Sequence, residues 1–270
     1  MKNNNVIGPK EAKIYAKNLT EIGDQILKID DNTFKGRTVI RTAKLTPKVR
    51  EIGNNAFAGC FQLRRVLDMY NVEIIGSSAF EKCHKLCEFS FPEKVTEIRP
   101  ETFEFCTGLQ KFSFPDESNL KRIDDSAFFE CSKLNRLVLP EEVEYIGKKS
   151  FFRTKMLKYI YLPSKIKTIA ENAFYFSGVA ELKLPESLEI IGDSAFYVCK
   201  NLEYVEIPKN VKSIGSHAFK SCSRLKTLVI KNDPEYIGDH IVSENTLIRC
   251  YKGSVVDQYC QKSNLNMEYL

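Results

Sequence analysis

No apolar run in this chain approaches the roughly 20 residues that a helix needs to cross a bilayer, so membrane insertion is not expected. A dominant charge is missing too. The 40 Lys and Arg residues stand against 35 Asp and Glu, and the net charge of +5 is spread among interspersed signs. Without a basic cluster interleaved with aromatics, nucleic acid is not an expected partner. There is no Cys-x-x-Cys pair, phosphate loop, nucleophile elbow or dinucleotide fingerprint, and the carboxylates are scattered, with no acid and base set apart. These absences point away from an enzyme, a cofactor and a metal site. The first residues also lack the apolar core of a secretory signal, which places the protein inside the cell unless a leader was removed.

What the sequence does contain is repetition. Phenylalanines recur at Phe34, Phe57, Phe80, Phe103, Phe128, Phe151, Phe174, Phe196 and Phe219, separated by 23, 23, 23, 25, 23, 23, 22 and 23 residues. Three residues after the anchor stand Cys60, Cys83, Cys106, Cys131, Cys199 and Cys222, with Arg37, Thr154 and Ser177 in the remaining copies. Six after it comes Leu or Ile in eight copies, and the shortened seventh offers Val179 one place early. A degenerate tenth copy follows at 237–242. A fixed period of this length means a solenoid, in which each repeat packs only on its neighbours.

Each slot has a physical reading. Alternating pieces such as Leu137-Val138-Leu139, closed by Pro140, predict very short strands stacking into a parallel sheet. Val-x-x-Ile pieces such as Val95-Thr96-Glu97-Ile98 predict a second extended run on the back of the coil. Pieces such as Ser78-Ala79-Phe80-Glu81-Lys82-Cys83 predict one helical or 3₁₀ turn, and the glycines at Gly53, Gly76, Gly147, Gly192, Gly215 and Gly238 predict a positive φ.

The Ile-Gly-x-x-Ala-Phe-x-x-Cys-x-x-Leu pattern, in nine copies, resembles the BspA-like class of the leucine-rich repeat superfamily. The resemblance implies a right-handed α/β repeat solenoid, rich in β, with a parallel sheet on its concave face. It also implies protein binding or adhesion, at a cell surface or secreted. The domain reading is an N-terminal capping segment over 1–28, a solenoid over 29–247 and a C-terminal cap over 248–270. In the first segment Pro9, Ala12, Tyr15, Ala16 and Leu19 predict a short amphipathic helix, and Asn18-Leu19-Thr20 fits a glycosylation acceptor. In the last, Ser254 caps a predicted helix through Tyr259, and 266–270 alternate like a closing strand.

Nine cysteines, an odd number in a large chain, read as a ladder of small buried thiols rather than a disulfide framework. Cys87, Cys250 and Cys260 lie off the ladder and are the candidates for reactivity. Cys83, His84 and Cys87 have a metal-like spacing but belong to different faces of the coil. His217 and His240 share a slot and read as stacked surface histidines. Recognition is expected on outward strand slots, which the core leaves free. Tyr159, Tyr161 and Tyr204, with Arg136, Val138, Glu181, Lys183 and Glu206 around them, have the composition of a protein-binding centre, or of a tyrosine-bearing sheet face that binds nothing. Phe129, Phe152, Tyr175 and Tyr197 form a second candidate surface, an aromatic strip that is either exposed or covered by the two-residue insertion at 115–119. The sequence therefore predicts a non-enzymatic protein-binding scaffold, monomeric, with an adhesive or self-associating surface protein as the alternative.

Overall fold

The computed structural model describes residues 5–15 and 19–270, and the side chains of all these except 14, 15, 19 and 20. The chain winds into a parallel β-solenoid of about eleven turns, carried by two rows of short strands. The back row holds eleven two-residue strands, from Val6–Ile7 to Tyr236–Ile237, each pairing in parallel register with its neighbours in two stretches of four and seven. These are the Val-x-x-Ile pieces, and their inward Ile is buried in almost every coil. The front row holds the alternating pieces, such as Arg136–Val138 and Tyr159–Tyr161, whose central residue faces the core while its neighbours face out.

The nine Phe anchors occupy the centre of the coils. All are fully buried, and consecutive rings stack with centroids 5.0 to 5.6 Å apart. Stacking at this spacing joins area burial to a favourable ring geometry. Truncating an interior anchor such as Phe128 is therefore in the range of about 3–5 kcal/mol.

The turns around the anchor differ from the helical turn that the sequence predicts. Backbone N–H groups alternate between two acceptors: Phe57 donates across to Ala79 of the next coil, whereas Ala58 donates back to Asn55. Two residues per coil take a left-handed conformation, two before and two after the anchor, as at Asn55 and Gly59 or Ser194 and Val198. This path links neighbouring coils at every second residue, which a closed helical turn could not do. Among the described residues the only helices are a 3₁₀ turn at Glu11–Tyr15 and an α-helix at Val255–Lys262.

The glycine slot is explained by contact and not by φ. A Cβ on Gly76 would lie 2.5 Å from the Asn54 backbone nitrogen, and one on Gly215 would lie 2.4 Å from that of Asp193. Positive φ occurs instead at Gly36, Gly59 and Gly253.

The ends are built like the middle. Val6–Ile7 pairs with Lys28–Ile29 and Leu19–Glu21 pairs with Thr42–Lys44, so the N-terminal segment follows the solenoid path, and the short helix the sequence predicts there is a 3₁₀ turn at Glu11–Tyr15, with Leu19 in a strand. Ala16 and the acceptor residue Asn18 lie outside the described residues. At the other end Ser254 Oγ accepts from the Asp257 N–H at the start of the α-helix, and Met267–Tyr269 closes the front row against Leu247–Cys250.

Candidate functional site

The cysteine slot carries a hydrogen bond as well as a packing role. Each ladder thiol donates to the carbonyl of the Phe anchor one coil earlier: Cys60 to Phe34 at 3.1 Å, Cys83 to Phe57 at 3.2 Å and Cys199 to Phe174 at 3.1 Å. All nine cysteines are free thiols. Desolvation pushes Cys60 and Cys260 up to about 12 and raises Cys83, Cys106, Cys131 and Cys250 as well. Cys250 and Cys260 are buried and held protonated, contrary to the reactivity expected of them, and only Cys87 is partly exposed. Cys83, His84 and Cys87 do not converge. Cys83 points inward, while His84 stacks on Phe61 with Nδ1 3.0 Å from the Phe105 carbonyl. Among the described residues no three His, Cys, Asp or Glu side chains gather into a metal-holding group. His217 and His240 stack with centroids 5.8 Å apart.

The aromatic strip is half-buried, and its rings face one another. Phe129, Phe152, Tyr175 and Tyr197 form a second stack at 4.8 to 5.0 Å. Ring faces used in this way leave only edges for a partner, so the strip's geometry is that of a second structural ladder on the coil edge.

The outward front slots of coils five to eight lie on one face. Arg136 sits 4.3 Å over the Tyr159 ring, a cation–π contact across neighbouring strands. Tyr161 donates to Glu141 Oε1 at 2.8 Å, and that bond raises its hydroxyl above the ordinary tyrosine range. Tyr204 is 53% exposed and donates to Glu206, which also accepts from Lys231 at 2.8 Å. Val138 is 48% exposed. Val229, an outward slot by pattern, is buried instead.

Coil seven breaks the row. Its anchor spacing is 22 residues, and no front strand forms over 181–184; one isolated bridge joins Tyr159 to Glu181. The next front strand, Tyr204–Ile207, pairs with Thr227–Ile230 on one side and with no strand on the other among the described residues. In most coils a rung runs to the coil before at the strand entrance, Lys158 N–H to the Asn135 carbonyl and Lys226 N–H to that of Glu203, although none joins Asn135 N–H to Gln110. Between Glu203 and Ala180 this rung is missing. A cleft of about 1290 Å³ opens here, with Ile160, Leu162 and Leu184 among its lining and Tyr159, Tyr161 and Tyr204 around it. Glu181 and Lys183 also line it, whereas Arg136, Val138 and Glu206 lie on the same face beyond it. The tyrosines were legible in the sequence and the cleft was not, although the 22-residue spacing is its signal.

A model of the BspA type leucine-rich repeat region matches residues 13–135 and 121–249, in six copies. The chain belongs to the BspA-type leucine-rich repeat family. Its fold is similar to that of a leucine-rich repeat protein from Bacteroides ovatus, at a TM-score of 0.61 and 22% identity, over 93% of this chain and 77% of that one. It is also similar to a leucine rich cell surface protein from Faecalibacterium prausnitzii, at a TM-score of 0.53 and 22% identity, over 83% of this chain. The match spans 64% of that protein's length. None of the curated proteins matches the chain. The family and fold are typically those of non-enzymatic scaffolds, and no helix among the described residues is long and apolar enough to cross a membrane.

Proposed function

We propose that this protein is a non-enzymatic binding scaffold that recognises a protein partner through the front face of coils five to eight, the face the leucine-rich repeat reading places on the concave side. The observation that carries this is the coincidence of the outward tyrosines with coil seven, the one coil among the described residues whose front piece forms no strand, so that large amphipathic side chains surround a concave site with an apolar floor. The aromatic strip at Phe129, Phe152, Tyr175 and Tyr197 is the weaker surface because its ring faces are already used. A role in adhesion at a cell surface is supported by the likeness to the F. prausnitzii protein described as a cell surface protein. Self-association is the rival reading, and a solution mass that rises with concentration supports it.

The test is the double variant Tyr159→Ala with Tyr161→Ala. These side chains stand outside the core, so the thermal midpoint stays within a few degrees. Affinity for the partner captured from the source cells falls at least about tenfold, a loss of about 1.4 kcal/mol. Changing Lys111 and Ser113, on the same face but away from the cleft, has little effect. If the tyrosine variant binds as well as the parent while changes at Phe152 and Tyr175 abolish binding, recognition lies on the strip.

A further inference from the structure

The cleft has a property that a merely concave surface lacks. On its coil-eight side it is bounded by the strand Tyr204–Ile207, whose edge toward coil seven has no partner among the described residues. On the coil-seven side, 182–184 form no strand, and the rung that would join Glu203 N–H to the Ala180 carbonyl is absent. A second rung is absent as well. Leu45 donates to Leu67, Phe91 to Ser113 and Leu139 to Tyr161 at the strand exits; the matching bond is absent from Asp68, Phe114 and Leu162, and only the last of these faces a coil with no front strand. Unpaired donors and acceptors along a strand edge are a template for one more strand.

Outward charges point the same way. In three places such charges are paired across neighbouring strands, Lys44 with Glu21, Arg65 with Glu88 and Arg249 with Glu268, while Arg136 lies instead over the Tyr159 ring. Glu181 and Lys183 are both exposed, stand two residues apart on the cleft, and make no ion pair among the described residues.

Resting on the reading of this face as the recognition surface, we infer that the cleft takes an extended peptide segment of the partner protein by strand addition against Tyr204–Ile207. The segment's backbone completes the open rungs. A basic and an acidic side chain two residues apart meet Glu181 and Lys183, and β-branched or other apolar side chains between them lie over Leu182 and Leu184. Main-chain bonds supply affinity in this mode, and alternate side chains supply specificity.

The experiment uses the full chain and a fluorescein-labelled acetyl-Thr-Lys-Val-Glu-Val-amide, read by anisotropy and by amide hydrogen exchange. The peptide is expected to bind and to slow exchange at Glu203 and Leu162 at least tenfold. N-methylation at its alternate amides weakens binding at least tenfold. Exchanging its Lys and Glu weakens binding severalfold, and the double variant Glu181→Lys with Lys183→Glu reverses that preference. Equal binding of the N-methylated peptide, or no binding by any of these peptides, overturns strand addition. The wider reading is judged apart from this, by whether the tyrosine double variant loses the captured partner.

Discussion

Single residues in this solenoid show what a slot demands when neighbouring copies fill it differently. The position before the anchor is Ala in six coils, and where it is Thr the hydroxyl finds a carbonyl: Thr33 donates to Asp30 at 2.6 Å and Thr102 to Arg99 at 2.7 Å. Ser150 occupies the same place, fully buried, and its hydroxyl has no partner. A buried hydroxyl left unpaired carries a desolvation penalty of about 1–3 kcal/mol. Ser150→Ala should therefore stabilise the protein, by about 1 kcal/mol, in a denaturant titration with unchanged slope. A loss of stability would mean that the hydroxyl is satisfied in solution.

At the scale of an element, the decisive contact is backbone against backbone between coils. Gly76 packs so that an added methyl would strike the Asn54 nitrogen and the Gly53 carbonyl carbon, neither of which can swing aside as a side chain can. Gly76→Ala should cost about 1–3 kcal/mol through overpacking, although its φ suits any residue. Gly36→Ala meets nothing within 4 Å, and its cost, about 1–2 kcal/mol, comes from φ of +71° alone. The two mechanisms separate on replacement by D-alanine in a semisynthetic chain. That change relieves the second site and leaves the first destabilised. Asp30, Arg99, Asp124 and Ala170 in the glycine slot show that four coils accommodate a side chain where this chain places one.

Across the whole molecule, the thiol ladder links stability to pH. Burial favours the neutral thiol, raising Cys60 from an ordinary value near 9 to about 12 in the folded state. A group whose pKa rises on folding contributes stability that is complete below its unfolded pKa and is lost as pH rises toward the folded one. The loss therefore falls between about pH 9 and 12, at up to about 1.4 kcal/mol per pH unit for each such thiol. The melting temperature should drop steadily over this range. Cys60→Ser keeps a donor for the Phe34 carbonyl and does not titrate, so its slope should be shallower than the parent's. An identical slope would remove the ladder from the cause.

The repeat length, the identity of the core anchors and, except at the buried Val229, the inward or outward sense of the front slots were determined by the sequence alone. A 23-residue period with Phe, Cys and Leu at constant offsets leaves each coil one way to bury them against the next. Tertiary structure decided what depends on the distance between coils. The glycines looked like turn residues because a sequence shows φ preferences but not the approach of the coil before. The Ser-Ala-Phe pieces looked helical because their spacing fits a turn, whereas stacking claims every second N–H for the neighbouring coil. Tyr159, Tyr161 and Tyr204 were legible as outward residues. Whether they stand on a continuous sheet or around a cleft depended on one residue missing between Phe174 and Phe196. That deletion acts by withholding a strand from its neighbours, and pairing between coils exists only once the coils are stacked.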